Sequence, residues 1–398
     1  MKILYLCHRF PYPPTRGGKI RPFNMIRHLS QQGHHVTVAS LTRSDEETRE
    51  AQGIREHCHD FVCEQVSTTS ATLRMVGSLL TTSPASMGYF YSNQLQRRID
   101  AQLAKQSFDL IFVHCSSVAP YVARVRGIPK MLDFGDMDSQ KWLIYSQFRQ
   151  FPMSLGYRLE SMKLQQAEIA LAQQFDYCTC TTKAELETLN NYGVQVQTDW
   201  FPNGVDTEYF QPTTEPYDPD VLSFIGRMDY YPNQQCMLSF CHEILPAIQQ
   251  HRPGTKLWIV GANPSRAIQA LARLSNVTVT GSVKDVRPYV WRSAVNVAPL
   301  TIARGTQNKV LEAMAMGVPV VSSEQAAGGI DAVSGEHLLT ASTRDDYCEA
   351  ILRLLESPKE RERYAKHARA RMLSHHNWEG SMNKLSHLIE KCVATSSS

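Results

Sequence analysis

Lys309 and Glu312 lie three residues apart in the run Gly305-Thr-Gln-Asn-Lys-Val-Leu-Glu-Ala-Met-Ala-Met-Gly-Val-Pro-Val-Val321. At that spacing a helix carries both side chains on one face. Gly305 stands just ahead of this helix, read as 306–316, where free backbone N–H groups favour an anion. A cation, a helix N-terminus and a nearby carboxylate are what a nucleoside diphosphate requires: partners for phosphate oxygens and an acceptor for ribose hydroxyls. The same residues also describe a plain helix on a parallel sheet with a solvated Lys–Glu pair. Position favours the ligand. The run follows an apolar strand, Val295–Pro299, late in an α/β half, and open sheets bind ligands at the carboxyl ends of their strands.

Other residues fall at similar strand ends. Gly226 closes strand Val221–Ile225, and Arg227 projects beyond it with a planar fork suited to a diphosphate. Gly261 ends the strand of Trp258-Ile-Val and borders the same ligand. Thr280–Tyr289 flanks the base or is turn chemistry alone, with Asp285 read as an N-cap. In the first half, Gly17-Gly18 lie in a loop between the first strand and its helix. The run is neither GxGxxG nor a Walker lysine motif, which disfavours a standard dinucleotide or P-loop site. His114 stands at the tip of the strand from Asp109. Asp133, Asp136 and Asp138 crowd the next strand end, followed by Lys141. Such charge suits a polar ligand better than a metal, because no further carboxylate or histidine cluster has fitting spacing. Ser139 also reads as the cap of the helix that follows.

The elements that must position these groups alternate strand and helix. In the first half the predicted strands are Lys2–Cys7, Val36–Leu41, Asp109–Val113, Lys130–Phe134 and Tyr177–Thr181, with one long helical stretch over Ser139–Gln174. A turn-rich break around Trp200–Pro219 separates the halves. The second half repeats the alternation with strands at 221–225, 256–260, 277–279, 295–298 and 318–321. The reading is two doubly wound α/β domains, residues 1–205 and 206–376, with a final helix over about 377–398 packing back on the first. Two such halves create a cleft, where small-molecule sites concentrate. The tail after Val393 is expected to be disordered.

A chain of 398 residues with 42% hydrophobic and 20% charged content is a soluble globular protein of two or three domains. A net charge of +3 gives no argument for nucleic-acid binding. The ten cysteines have no metal spacing, and the Cys178/Cys180 pair shares a strand face. With no signal peptide and no apolar run of spanning length, a cytoplasmic location is expected.

Taken together, Gly226-Arg227, the Gly305…Lys309…Glu312-Ala-Met-Ala…Gly317-x-Pro-Val-Val run and Pro202-Asn-Gly-Val-Asp206 resemble glycosyltransferase family 4, which are retaining, metal-independent enzymes of GT-B fold. More narrowly, His8-Arg-Phe-Pro-Tyr-Pro-Pro14, Asp136-Met-Asp-Ser-Gln-Lys-Trp142, Met228-Asp-Tyr-Tyr-Pro-Asn233, Val286-Arg-Pro-Tyr289 and Arg304-Gly-Thr-Gln-Asn-Lys309 are similar to bacterial sugar transferases of PEP-CTERM/exosortase exopolysaccharide loci. The resemblance covers nearly the whole chain. It implies that Arg227 and Lys309 clamp the donor diphosphate, that Glu312 binds ribose, and that Gly17 and Gly18 approach the phosphates. It places His114 near the transferred sugar. Two positions depart from the family. Arg304 stands where a glutamate eight residues before Glu312 is usual, and Pro232-Asn233 replaces a lysine after Gly226-Arg227.

The expected activity is therefore sugar transfer from a nucleotide diphosphate sugar to a glycan or lipid-linked glycan, with no cofactor and no metal. Arg227, Lys309 and His114 are the catalytic candidates. Gly17, Gly18, Gly226, Gly261, Arg304, Gly305 and Glu312 are donor-binding, and Asp136, Asp138 and Lys141 lie on the acceptor side. First-half loops, including about Thr68–Tyr91, would select the acceptor, and the aromatic and apolar residues of Thr68–Tyr91 would touch the inner face of the cytoplasmic membrane. A GT-B nucleotide-sugar epimerase and a non-enzymatic two-domain sugar-binding protein are the alternatives.

Overall fold

Most strand segments here are apolar without alternation, the pattern of parallel strands covered on both faces. The computed structural model describes residues 1–78 and 81–396. It divides into two units, Met1–Phe201 with Ser381–Ser398, and Pro202–Gly380.

The first unit holds β1 (Lys2–Cys7), β2 (His35–Thr42), β3 (Asp60–Gln65), β4 (Leu110–His114), β5 (Lys130–Gly135), β6 (Tyr177–Cys180) and β7 (Gln197–Trp200). They form one parallel sheet in the order β3-β2-β1-β4-β5-β6-β7. Its helices include α1 (Gly17–Gln31), α2 (Thr68–Ser78), α3 (Ala85–Tyr89), α4 (Asp138–Gln147) and α5 (Met153–Ala172). All residues of β4 are buried, and one sheet face is filled by Leu4, Leu6, Ile111, Val113 and Leu132. The order reverses between β1 and β4, which makes that point the crevice of the sheet.

The second unit repeats the plan. Strands β8 (Asp218–Ile225), β9 (Lys256–Val260), β10 (Val277–Val279), β11 (Ser293–Ala298), β12 (Val320–Ser323) and β13 (Leu339–Ala341) run parallel in the order β10-β9-β8-β11-β12-β13. Here the switch point lies between β8 and β11. The helices used below are α6 (Tyr231–Ser239), α7 (Asn308–Ala315) and α8 (Pro358–His375). The last helix, α9 (Trp378–Ser396), joins the first unit, where Lys384 pairs with Asp199 and buried Cys392 lies on the Lys130 carbonyl.

Several expectations change. The single helical stretch over Ser139–Gln174 is two helices, α4 and α5, because Pro152 lacks an N–H and disfavours helical backbone at Phe151. Ser139 is not the cap: Met137 takes that place, and the Ser139 amide and hydroxyl both donate to Glu168. Gly17 and Gly18 do not form a loop but the first turn of α1. The Thr68–Tyr91 loop contains α2 and α3, with Leu79 and Leu80 outside the described residues. The tail does not fray at Val393, since α9 continues to Ser396, and residues 397 and 398 lie outside the described residues. The strands that sequence reading missed, β3, β7 and β13, are all sheet edges. An edge strand is covered less completely, so Asp60-Phe-Val-Cys-Glu-Gln65 has only three apolar residues between polar ends, and Gln197-Thr-Asp-Trp200 shows no apolar run.

Candidate functional site

In the second unit, β8 and β11 end side by side at the switch point, and the sequence places Gly226-Arg227 after one and the Gly305–Lys309 turn after the other. The backbone at this edge is tight. A methyl at Gly261 would stand 1.8 Å from the Gly226 carbonyl, and one at Gly329 would stand 1.8 Å from the Gly305 carbonyl. Only glycine permits either approach. Gly261 was singled out from the sequence; Gly329 was missed, although the Gly328-Gly329 doublet was its signal.

Lys309 comes to this edge from the first turn of α7. A methyl built on Gly226 would lie 3.4 Å from its Nζ. The ammonium donates to Asn233 Oδ1 at 2.5 Å and sits 4.8 Å from the Phe224 ring centroid. Burial pushes the amine down to about 8, against the opposing pull of Cys236 and Glu312. Burial also pushes the Glu312 carboxyl up to about 7, with Lys309 acting against it. Both groups therefore titrate near neutrality. No side chain caps the start of α7, and the buried Thr306 Oγ1 and Asn308 Oδ1 have no hydrogen-bond partner. Unsatisfied polar atoms beside a helix N-terminus and a desolvated cation are suited chemically to an anion with hydroxyl groups.

Asn233, not chosen from the sequence as a site residue, ties the edge together. It is buried, its Nδ2 donates to the Arg227 carbonyl at 2.8 Å, and its Oδ1 receives Lys309. The residue standing where the resemblance leads one to expect a lysine thus holds Lys309. Arg227 lies at this edge as expected, but its guanidinium is engaged. Nε and Nη2 meet both oxygens of Asp229, at 3.0 and 2.5 Å. Arg304 lies half-buried in the turn before α7, and its carbonyl accepts from Gln307. Asp285 does not cap the next helix; Val286 does, and Asp285 instead binds the Arg287 guanidinium and amide.

The first unit has a different arrangement at its own switch point. Cys7 and His114 are partners in the β1–β4 register, so His8 and His114 share this edge, with ring centroids 6.1 Å apart. Asp133 on β5 is fully buried and receives Arg21 Nε at 2.9 Å, Arg21 Nη2 at 3.0 Å, Thr179 Oγ1 at 3.0 Å and His114 Nδ1 at 2.7 Å. Burial alone would raise this carboxyl, but Arg21 and His114 outweigh it and hold it below the usual carboxylate range. The anion fixes His114 with Nδ1–H towards Asp133, which leaves Nε2 as the group His114 can offer a ligand. Arg21 is pinned further by the Phe201 carbonyl at 3.0 Å and by stacking 3.7 Å over the Phe201 ring. Neither Arg21 nor the role of Asp133 was read from sequence.

His8 is the second histidine of this edge. Arg9 Nε donates to its Nε2 at 3.2 Å, which places the proton of a neutral ring on the buried Nδ1, and that atom has no partner. Gly18 lies against the Arg9 side chain, 3.5 Å from a built methyl. Asp136 accepts from Thr181 at 2.8 Å, and Asp138 and Lys141 form a loose pair, 3.8 Å apart, in the first turn of α4. Among the described residues, no three His, Cys, Asp or Glu side chains gather as a metal site.

Residues 16–209 match the family described as Glycosyltransferase Family 4, and residues 219–357 match the family described as Glycosyl transferases group 1. No curated protein matches the chain by sequence. Among solved structures, sucrose-phosphate synthase from Thermosynechococcus elongatus is similar over 99% of this chain and 100% of its own, with 17% identity and a TM-score of 0.74. HepE of Anabaena in complex with UDP is similar over 98% and 100%, with 14% identity and a TM-score of 0.71. The same protein in complex with UDP-glucose gives 15% identity and a TM-score of 0.68 over 98% and 100%. Two parallel α/β units of seven and six strands with this likeness constitute the GT-B fold.

Proposed function

We propose that this chain, whose halves carry a glycosyltransferase family 4 domain and a glycosyl transferases group 1 domain, moves a sugar from a nucleoside diphosphate sugar to a glycan or lipid-linked glycan, with retention and without a metal. The observation that carries the reading is the edge between β8 and β11. There a desolvated Lys309 amine, an uncapped helix start, and the unpartnered Thr306 and Asn308 side chains stand together. A diphosphate satisfies the amine and the helix start, and the ribose hydroxyls face the Glu312 carboxylate.

In the reaction the bond from the anomeric carbon to the diphosphate oxygen breaks, and its electron pair stays on the diphosphate. A new bond forms from the anomeric carbon to the acceptor oxygen, and the acceptor's proton passes to the departing phosphate. Lys309 and the α7 N-terminus stabilise the charge that builds on the leaving group, which is the larger part of catalysis in such a site. Arg227 adds to this once the phosphate competes with Asp229 for its fork. His114, with Nδ1 held by Asp133, offers Nε2 to a sugar hydroxyl. Asp136, Asp138 and Lys141 are assigned to the acceptor. Exopolysaccharide assembly is the role we assign, on the resemblance of the sequence motifs.

The Asp133–His114 pair is also what an epimerase of this fold would use as acid and base. Incubation with nucleotide sugars and no acceptor separates the two: free epimer supports the epimerase and contradicts transfer. The donor site itself is tested by a thermal-shift panel of UDP, GDP, ADP and their sugars. HepE was seen with UDP, so UDP heads the panel. One base should raise Tm strongly at saturation, about 2.7 kcal/mol of added stability at a hundredfold excess over Kd. Equal, negligible shifts across the panel would overturn the assignment.

A further inference from the structure

The first half of helix α5 is built inside out, whereas the second half buries Leu164, Leu171 and Ala172 in the ordinary way. Its buried positions include Glu160, Ser161 and Glu168, while Met153, Leu155, Leu159 and Met162 face outwards. Leu155, Leu159 and Met162 follow the helical i, i+4, i+7 spacing and so form one stripe. The loop before it adds Phe148 and Phe151, the latter 79% exposed. Helix α2 adds Leu73, Met75 and Val76, and Leu73 is 73% exposed. Nine of the fifteen large hydrophobic side chains exposed among the described residues fall in these two segments. They adjoin one another, since Lys163 of α5 donates to the Ser78 carbonyl at the end of α2. Glu160 of α5 accepts the Ala85 and Ser86 amides at the start of α3. Solvent-facing apolar surface on this scale marks a partner.

The charge of the surface has one sign. Between Val66 and Tyr91 the only charged residue is Arg74, and between Gln147 and Leu159 the only ones are Arg149 and Arg158. Lys163 follows, and the one intervening carboxylate, Glu160, is buried and occupied by backbone amides. Trp142, Tyr145 and Tyr157 cluster beside the stripe, with ring centroids 5.1–6.3 Å apart, and such amphipathic rings suit a headgroup layer. A second copy of the chain fits poorly. A two-fold contact would set this basic face against a copy of itself, and its one carboxylate, Glu160, is buried. No helix among the described residues is long and apolar enough to cross a membrane.

We propose that the α2–α5 face docks on an anionic lipid bilayer, with Phe148, Phe151, Leu155, Leu159 and Met162 entering the headgroup region and Arg74, Arg149, Arg158 and Lys163 meeting lipid phosphates. Apolar burial and basic side chains near the surface are the two contributions such binding needs. The sequence placed membrane contact in the Thr68–Tyr91 segment alone. The structure adds α5 as its larger part.

The test is co-sedimentation of the full chain with vesicles of phosphatidylcholine, with and without phosphatidylglycerol. Binding is expected to the anionic vesicles and to weaken with salt. Phe151→Ser/Leu155→Ser/Leu159→Ser should weaken it at least tenfold, and Arg149→Gln/Arg158→Gln about fivefold per charge removed. These side chains are exposed, so both variants should melt as the wild type does. No binding to anionic vesicles, or unchanged binding by the serine variant, overturns the proposal. So does a wild-type dimer in sedimentation velocity that the serine variant loses, without vesicle binding by either. The assay uses no donor, so its failure leaves the nucleotide site untouched.

Discussion

The two units carry the same strand order at their centres, yet their switch points are opposite in charge economy. In the first, a buried carboxylate is fully occupied by donors: Asp133 takes two bonds from Arg21, one from His114 and one from Thr179. The network is closed, and what it presents is an oriented imidazole. In the second, Lys309 has a neutral amide as its partner and a carboxyl that burial has pushed up to about 7. That network is open, and we propose that an anion completes it. The contrast teaches that one topology can carry a self-satisfied polar network at one switch point and, at the other, a cation that we propose is completed by a diphosphate. Internal pairing, rather than fold, separates the roles.

The largest effect should come from breaking the closed network. Asp133→Ala strands Arg21 in the interior and should cost about 3–5 kcal/mol of stability, measured by denaturant melts. Because the folded carboxyl is held low, this stability is present above the ordinary carboxylate value near about 3.9 and is lost as pH falls below it. The wild type should therefore weaken on acidification more steeply than Asp133→Asn. A mild loss would mean the network is not as closed as its geometry.

Breaking the open network should leave the fold and remove turnover. Lys309→Ala is expected to lower kcat about 100- to 1000-fold, with an unchanged melt. Retained activity would dissolve the contrast between the units. The pH profile of donor kcat/KM should be bell-shaped. It falls above about 8 as Lys309 loses its proton and below about 7 as Glu312 gains one. Lys309→Arg should carry the alkaline limb out of range.

Asn233 sharpens the comparison at smaller scale. Asn233→Ala should reduce donor kcat/KM about tenfold, the value of one hydrogen bond near a charge. Asn233→Asp should move the alkaline limb upwards by about one unit, since a carboxylate beside the amine favours its charged form. A purely structural role would change neither limb. Asp229→Ala should be the mildest change. The Arg227–Asp229 pair is substantially exposed, so stability should move by less than about 1 kcal/mol, while donor KM falls as the guanidinium is released. A higher KM would show that Asp229 orients Arg227.

The sequence made the open site more legible than the closed one. Lys309, Glu312, Gly226, Gly261 and Gly305 lie at ends of apolar strands or on one helical face, and local spacing exposes such positions. Arg21 and Asp133 are 112 residues apart, and Asn233 and Lys309 are 76 apart, so only folding brings them together. The central strands were readable because burial on both faces makes them largely apolar, with buried polar residues such as Asp133 and Asn296 as exceptions. Edge strands β3, β7 and β13 lacked that mark. The break between α4 and α5 was written in Pro152, but the helical periodicity on either side of it dominated the reading.

The account turns on one measurement: calorimetric titration of the full chain and of Lys309→Ala with the matching nucleoside diphosphate, and with its nucleoside, at pH 7. It predicts that the wild type binds the diphosphate, that Lys309→Ala binds it at least tenfold more weakly, and that nucleoside binding is the same in both. Equal diphosphate affinity in the two proteins, both correctly folded, would contradict it.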